Sequence, residues 1–203
     1  MALPPKLSKD SYEIQFAINH LAHFLITTTL LPFLLAASTR TSADVRIVTT
    51  TSLGFRFGVI SPISYPALTT VQDGWIMGPW MRYGRSKYAN VLMAHHLAKL
   101  YPQITSVSVH PGVTDTELIG NTRLRDRLLI WSGNLGAKYF TSEEGALNQL
   151  WLAAGMEKSK VRNGGLYLPV GVDGAEQTKD IMDLDQKAEE LWVWSEKAVN
   201  IVA

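Results

Sequence analysis

The chain of 203 residues contains no cysteine. That removes disulfides, thiolate nucleophiles and thiolate-held metals together. With no N-x-S/T acceptor site either, an intracellular, cytoplasmic setting is expected. Charge is also sparse, at 18% charged residues and a net +1, so no global field would gather nucleic acid. The one dense basic cluster, Arg123, Arg125 and Arg127, is interleaved with Asp126 and leucines, and nucleic acid is not an expected partner. There is no G-x-S-x-G elbow of the kind serine hydrolases use. His20 with His23, and His95 with His96, lack H-E-x-x-H geometry and read as packing or helix-face residues, so no metal site is expected. The start, Met1-Ala2-Leu3-Pro4-Pro5, lacks the order of a signal peptide. Leu21 to Ala37 is apolar, but His23, Thr27 to Thr29 and Pro32 interrupt it, which predicts a buried core helix and no membrane span. Repeats, low-complexity tracts and linkers are missing, so residues 1–203 read as a single domain.

What is present is an apolar, foldable chain, 46% hydrophobic. Asp10 and Glu13 have the spacing of a capping box, and Ile14, Ile18, Leu21, Leu25 and Leu30 follow at near-helical intervals, predicting a helix from about Ser11 to Ala37. Val45 to Thr51 is β-branched and ends at Ser52, as a buried parallel strand should. Leu53 to Arg82 has no period. Its Phe55, Phe57, Tyr65, Trp75, Met77, Trp80 and Met81 could wall an apolar pocket or pack the loop down. The glycine pairs Gly54 with Gly58 and Gly171 with Gly174 read as turns. A helix to about Leu100, a strand from Thr105 to His110, an irregular stretch from Thr114 with an amphipathic patch at Leu124 to Trp131, a helix from Ser142 to about Gly155, a strand from Gly164 to Val170 and a helix from Asp180 to Val199 complete the chain. Strands alternating with helices predict an open α/β sheet, whose ligands sit beyond the carboxyl ends of its strands.

Tyr83 and Lys87 stand four residues apart at the start of the fourth of these segments, and so share a helical face. An ammonium beside a phenol favours the phenolate, and the pair could serve as a general acid/base. Ser52 and Pro111-Gly112 fall at strand ends on the same side of the sheet. The bland reading, a surface Tyr and Lys one turn apart, needs none of that company.

Together these stretches resemble the short-chain dehydrogenase/reductase family, and within it the retinol-dehydrogenase-like branch. Phe16 to Phe24 is similar to its V-N-H-L-G-H-F helix, with Ala22 in place of glycine, and the resemblance implies that Asn19 anchors a proton-relay water. Arg46 to Ser52 is similar to R-I-V-N-V-S-S, implying that Ser52 binds the substrate carbonyl. Tyr83-Gly84-Arg85-Ser86-Lys87-Tyr88-Ala89-Asn90 is similar to Y-x-x-S-K-x-A-N, implying Tyr83 as proton donor and Lys87 as its partner and a ribose ligand. His110 to Thr116 resembles H-P-G-x-V-x-T, implying that Thr114 and Thr116 help hold the nicotinamide and pyrophosphate of NADP or NAD, NADP being favoured. The implied activity interconverts an alcohol and a carbonyl on an apolar small molecule, such as a secondary-metabolism intermediate. The alternative is a non-catalytic paralogue that associates through its helices, and a homodimer through the Asn19 and Tyr83 helices is an implied partner.

The family's glycine-rich G-x-x-x-G-x-G turn and its N-A-G segment have no counterpart here. The expected fold is therefore the C-terminal part of a Rossmann-like doubly wound parallel sheet, with strands equivalent to 5-6-7 and flanking helices. The Val45 strand would form an unpaired edge. Cofactor binding by this chain alone is expected to be weak.

Overall fold

The computed structural model describes residues 1–74, 77–114 and 139–200. Four strands form one sheet in the order β1 (Arg46–Thr50), β2 (Thr105–Val109), β5 (Leu166–Leu168) and β6 (Val172–Asp173). The first three are parallel, in the register Arg46 to Thr105 and Ser108 to Leu166. The short β6 turns back antiparallel, a hairpin not expected from the sequence. It is made possible by Gly171, whose φ of +71° only glycine adopts readily. A second, two-stranded parallel sheet joins β3 (Val113–Thr114) to β4 (Tyr139–Phe140). As expected, β1 lies at an edge. The five residues of β2 are all buried, as a strand between two others must be.

Helix α1 runs Ile14–Ser38. Its N-cap is Glu13, which accepts from the Phe16 amide at 2.8 Å, so the expected start at Asp10 and Ser11 is corrected by one turn. Burial decides this: Glu13 is enclosed and faces Arg82. The segment Ala17–Leu21 is π-helical, its extra residue taken up where Ala22 N–H bonds Ala17 O. The helix then continues through Pro32. The expected burial holds on one face only. Phe24 and Leu31 are buried, whereas Leu25, Ile26, Leu30 and Phe33 are 46, 57, 48 and 72% exposed. By length and composition this helix could cross a membrane.

Between β1 and β2 lie α2 (Phe55–Ile60), a 3-10 turn (Tyr65–Thr69) and α3 (Gly78–Leu100). Gly54 lies in the turn that leads into α2, as expected, whereas Gly58 is not a turn but a contact point inside that helix. A Cβ on Gly58 would come 2.6 Å from Tyr88 Cβ, and one on Gly84 would come 2.6 Å from Phe57 Cβ. Bare glycine on both sides lets α2 lie against α3. Of the aromatic loop residues, Phe55 is wholly buried in the core and Tyr65 stacks on Trp194, so these two pack the loop down. Trp75 lies outside the described residues, as does the Leu124 to Trp131 patch.

After β4 come α4 (Ser142–Leu150), capped by a Thr141/Glu144 box and extended by a π-helical turn Trp151–Gly155, then α5 (Ala175–Thr178) and α6 (Leu184–Asn200). Helix α6 closes the groove between α1 and α3. Trp192 packs edge-on to Phe24 at 4.8 Å, Trp194 packs on Phe16 and Tyr12, both at 5.8 Å, and Ser195 Oγ meets His20 Nε2 at 2.8 Å. That cover leaves α1, rather than α3, as the helix with a free apolar face.

Candidate active site

The carboxyl end of β1 is bound to α3 by three hydrogen bonds. Thr51 Oγ1 donates to Lys87 O at 2.7 Å, Asn90 Nδ2 donates to Thr50 O at 3.0 Å, and Lys87 Nζ donates to the same carbonyl at 3.2 Å. The chain then turns through Ser52, whose Oγ accepts from the Gly54 amide at 3.1 Å. Tyr83 sits in the second turn of α3, one turn further in than expected, because α3 begins at Gly78. Its ring lies beside Ser52, across the bare Cα of Gly54. A Cβ on Gly54 would lie 3.1 Å from Tyr83 Cε1 and 3.4 Å from Ser52 Oγ, so the absent side chain keeps room beside the hydroxyl pair.

Asn19 projects from the π-helical turn of α1 and donates to Ser86 Oγ at 2.9 Å, and Ser86 donates to Tyr83 O at 2.7 Å. The regular helix on either side is thus interrupted where Asn19 and His20 must reach two different neighbours, α3 and α6. Trp80 packs edge-on to Tyr83 at 6.4 Å, with Met1, Ala2 and Val113 against them, giving the phenol an apolar flank. Thr114 ends β3, half-buried against α4. Thr116 lies outside the described residues. The structure therefore brings Asn19, Ser52, Tyr83 and Lys87 together through bonds within and around α3, with Val113 touching the same cluster. No group of three or more metal-ligating side chains occurs among the described residues.

The electrostatics differ from the sequence expectation in one respect. Lys87 Nζ lies 5.9 Å from the centroid of the Tyr83 ring and gives its hydrogen bond to Thr50 O. Burial pushes the Tyr83 phenol above its ordinary pKa, opposed by the neighbouring Ser52 hydroxyl, so the lowering expected from Lys87 is not the net outcome. Burial also pushes Lys87 down to about 8. At neutral pH the site holds a protonated phenol and a cation that is still mostly charged.

Sequence reasoning missed Arg82 and Asn148. Arg82 is buried beside Tyr83 and donates to Leu3 O and Gln72 O, both at 2.8 Å, while its Nε lies 3.2 Å from Glu13. It thereby binds the first residues and the loop to α3. A buried arginine of this kind has no signal beyond its place next to the motif.

No protein-family model matches the chain. An uncharacterized oxidoreductase of Schizosaccharomyces pombe is 36% identical over 167 residues, 81% of this chain and 49% of that protein. The short-chain dehydrogenase/reductase drtF of Aspergillus calidoustus is 32% identical over 98% of this chain and 65% of its own length. Mouse retinol dehydrogenase 11 is 33% identical over 75% of this chain and 45% of its own length. The chain thus spans about half to two thirds of these relatives. Among solved structures, the carbonyl reductase Sniffer of D. melanogaster has a TM-score of 0.52 at 19% identity, covering 84% of this chain and 62% of its own. The NADPH-bound carbonyl reductase from chicken fatty liver has a TM-score of 0.51 at 20% identity, covering 83% and 57%. Both share the fold.

Proposed function

This chain belongs to the short-chain dehydrogenase/reductase family, and on that premise we propose that it carries the proton-handling part of an NAD(P)-dependent oxidoreductase interconverting an alcohol and a carbonyl on an apolar small molecule. The observation that carries this reading is the closeness of Ser52 and Tyr83 at the carboxyl end of β1, where a single Cβ on Gly54 would lie 3.1 Å from Tyr83 Cε1 and 3.4 Å from Ser52 Oγ, with Asn19 and Lys87 gathered behind it. Two hydroxyls converging on one point can polarise a carbonyl oxygen. Tyr83 Oη then gives its proton to the forming alkoxide, or takes it back in the oxidative direction, while Ser52 Oγ holds the oxygen in place. The raised pKa keeps Tyr83 protonated at neutral pH, which suits reduction. Once the proton has left, the phenolate faces the Lys87 ammonium. The apolar flank of Trp80 and Val113 favours an apolar substrate.

The described residues fit the nicotinamide end of the cofactor. Lys87 Nζ uses a single hydrogen bond to protein, which leaves it donors for ribose hydroxyls, and Val113 of β3 packs against the same cluster. A bound nicotinamide would supply or accept the hydride. No glycine-rich turn for a pyrophosphate occurs in the sequence. NADP is the favoured form, supported by the NADPH in one similar structure. The test is reduction of apolar aldehydes and ketones, with the upstream segment of a relative fused ahead of Met1. Tyr83→Phe should lower kcat at least ~100-fold, the scale of lost general acid catalysis. Unchanged turnover would remove Tyr83 from the reaction.

A second reading, association without catalysis, draws on the exposed Leu25, Ile26, Leu30 and Phe33 of α1. In a homodimer of this kind α1 would supply the contact, since α6 already lies over α3. Sedimentation equilibrium distinguishes it: Phe33→Glu should return a dimer to monomer mass.

A further inference from the structure

Asn148 is fully buried on α4 and belongs to none of the motifs above. Its Nδ2 donates to His110 O at 2.8 Å and reaches Tyr167 O at 3.4 Å, and its Oδ1 accepts from the Gly171 amide at 2.9 Å. One amide therefore ties together the end of β2, β5 and the turn that follows β5. No isosteric residue replaces it without loss. An aspartate would set a carboxylate against two carbonyl oxygens, and a leucine would leave the His110 carbonyl and the Gly171 N–H without this partner.

Three residues earlier, on the same helical face, Gly145 receives Thr114, and a Cβ there would come 2.7 Å from Thr114 Oγ1. A single turn of α4 thus holds both ends of the stretch from His110 to Thr114, the first by a hydrogen bond and the second by close contact. Between them the chain is confined too. Pro111 fixes its own φ, and Gly112, at φ +90°, presses where a Cβ would meet Phe140 at 2.6 Å. This is the stretch whose Val113 packs against Trp80 and Tyr83.

We infer that Asn148 is a positioning residue for the nicotinamide-facing turn, setting the place of Val113 and Thr114 relative to Ser52 and Tyr83 through the His110 carbonyl. It touches neither substrate nor cofactor. The inference rests on the proposed function only for what the turn faces; the mechanical tie stands by itself.

The experiment compares Asn148→Ala with Leu152→Ala in the 203-residue chain. Leu152 lies one turn further along, equally buried, and packs among Val107, Val109, Val161 and Tyr167. Its truncation should cost stability without freeing the turn. Three quantities are read: the thermal midpoint, amide hydrogen exchange at Val113 and Thr114 relative to the interior of β2, and NADPH binding by nucleotide fluorescence into the millimolar range. Asn148→Ala should raise relative exchange at the turn about tenfold and weaken NADPH about tenfold, whereas Leu152→Ala should leave that ratio within about twofold despite a lower midpoint. If Asn148→Ala does not fold, Asn148→Ser is read in the same way, with the same contrast expected. Equal exchange ratios in the two variants would overturn the inference. If the exchange contrast holds while the protein with a relative's upstream segment fused ahead of Met1 shows no NADPH binding at all, the positioning role is supported and it is the proposed cofactor that fails.

Discussion

Lowering the pH from 7 to 5 should remove a large part of this protein's stability, and two deeply buried histidines set most of the amount, with His96, whose pKa burial also lowers, acting in the same direction. His20 is enclosed between α1 and α6, and burial pushes its pKa from 6.5 to about 3, with the Asn90 side chain opposing. His110, at the end of β2, is pushed by burial to about 4. Both are bases with depressed folded pKa values. The unfolded chain therefore binds protons more readily, and stability present above pH 6.5 is lost as the pH falls towards the folded values. At pH 5 each histidine is charged in the unfolded chain and neutral in the folded one, a gap of about 1.5 pH units, or about 2 kcal/mol apiece. Together they amount to about 4 kcal/mol, against a total of about 5 to 15 kcal/mol for an ordinary domain. Glu13, whose pKa is raised by burial, works in the opposite direction. Asp173 and Asp185, held low by Arg162 and by His95 with Lys99, add their losses only at lower pH. Urea unfolding at the two pH values measures the sum, and His20→Gln isolates one part of it. That variant keeps a hydrogen-bonding group near Ser195 but cannot titrate, so about half of the pH effect should vanish. A difference under about 1 kcal/mol between pH 7 and pH 5, or an unchanged pH effect in His20→Gln, would refute the assignment of the loss to these rings.

Other substitutions test the packing around the site. Arg82→Met should cost about 3 to 5 kcal/mol, because Glu13 is left buried and unpaired, and adding Glu13→Gln should recover part of this in denaturant unfolding. Gly145→Ala should cost about 1 to 3 kcal/mol as its new Cβ forces Thr114 aside, visible as a lower thermal midpoint and a displaced Thr114 amide resonance. Trp192→Ala should cost about 3 to 5 kcal/mol by opening the α6 groove against Phe24 and His96. Nicotinamide-nucleotide affinity should fall as the pH rises through about 8, where Lys87 loses its charge, and a flat titration between pH 7 and 9 would separate Lys87 from the cofactor.

Much of this architecture could be read from residue order, because strands reveal themselves through local chemistry. Val45 to Thr51 and Thr105 to His110 are β-branched runs, and they differ from the observed β1 by one residue at each end and from β2 by one residue at its carboxyl end. That Ser52 would stand at the carboxyl end of β1 was legible for the same reason, since the β-branched run stops just before it. What escaped depends on contacts between distant residues. The π-helical turn at Ala17–Leu21 serves partners on α3 and α6 that lie far along the chain. The true cap of α1 is Glu13 because Arg82 lies opposite it, which no local spacing announces. Gly58 looked like a turn former, yet two helices meet across it and Gly84. The pKa expected of Tyr83 failed because a four-residue spacing gives proximity on a helix but not the direction in which Lys87 points.

The closing contact of α6 also bears on how the protein is made. Trp192, Trp194 and Ser195 complete the walls of α1 and α3, and Tyr12 reaches across to the Ala198 carbonyl at 3.4 Å. During synthesis the helix bearing Tyr83 leaves the ribosome long before the residues that cover it. Until residue 198 has emerged, Phe16, Phe24 and His20 are left without their lid, and the nascent chain carries a greasy cleft that a holding chaperone would recognise. Its folding is thus gated on the arrival of α6, and a ribosome stalled over α6 would display an assembled sheet beside an unfinished flank.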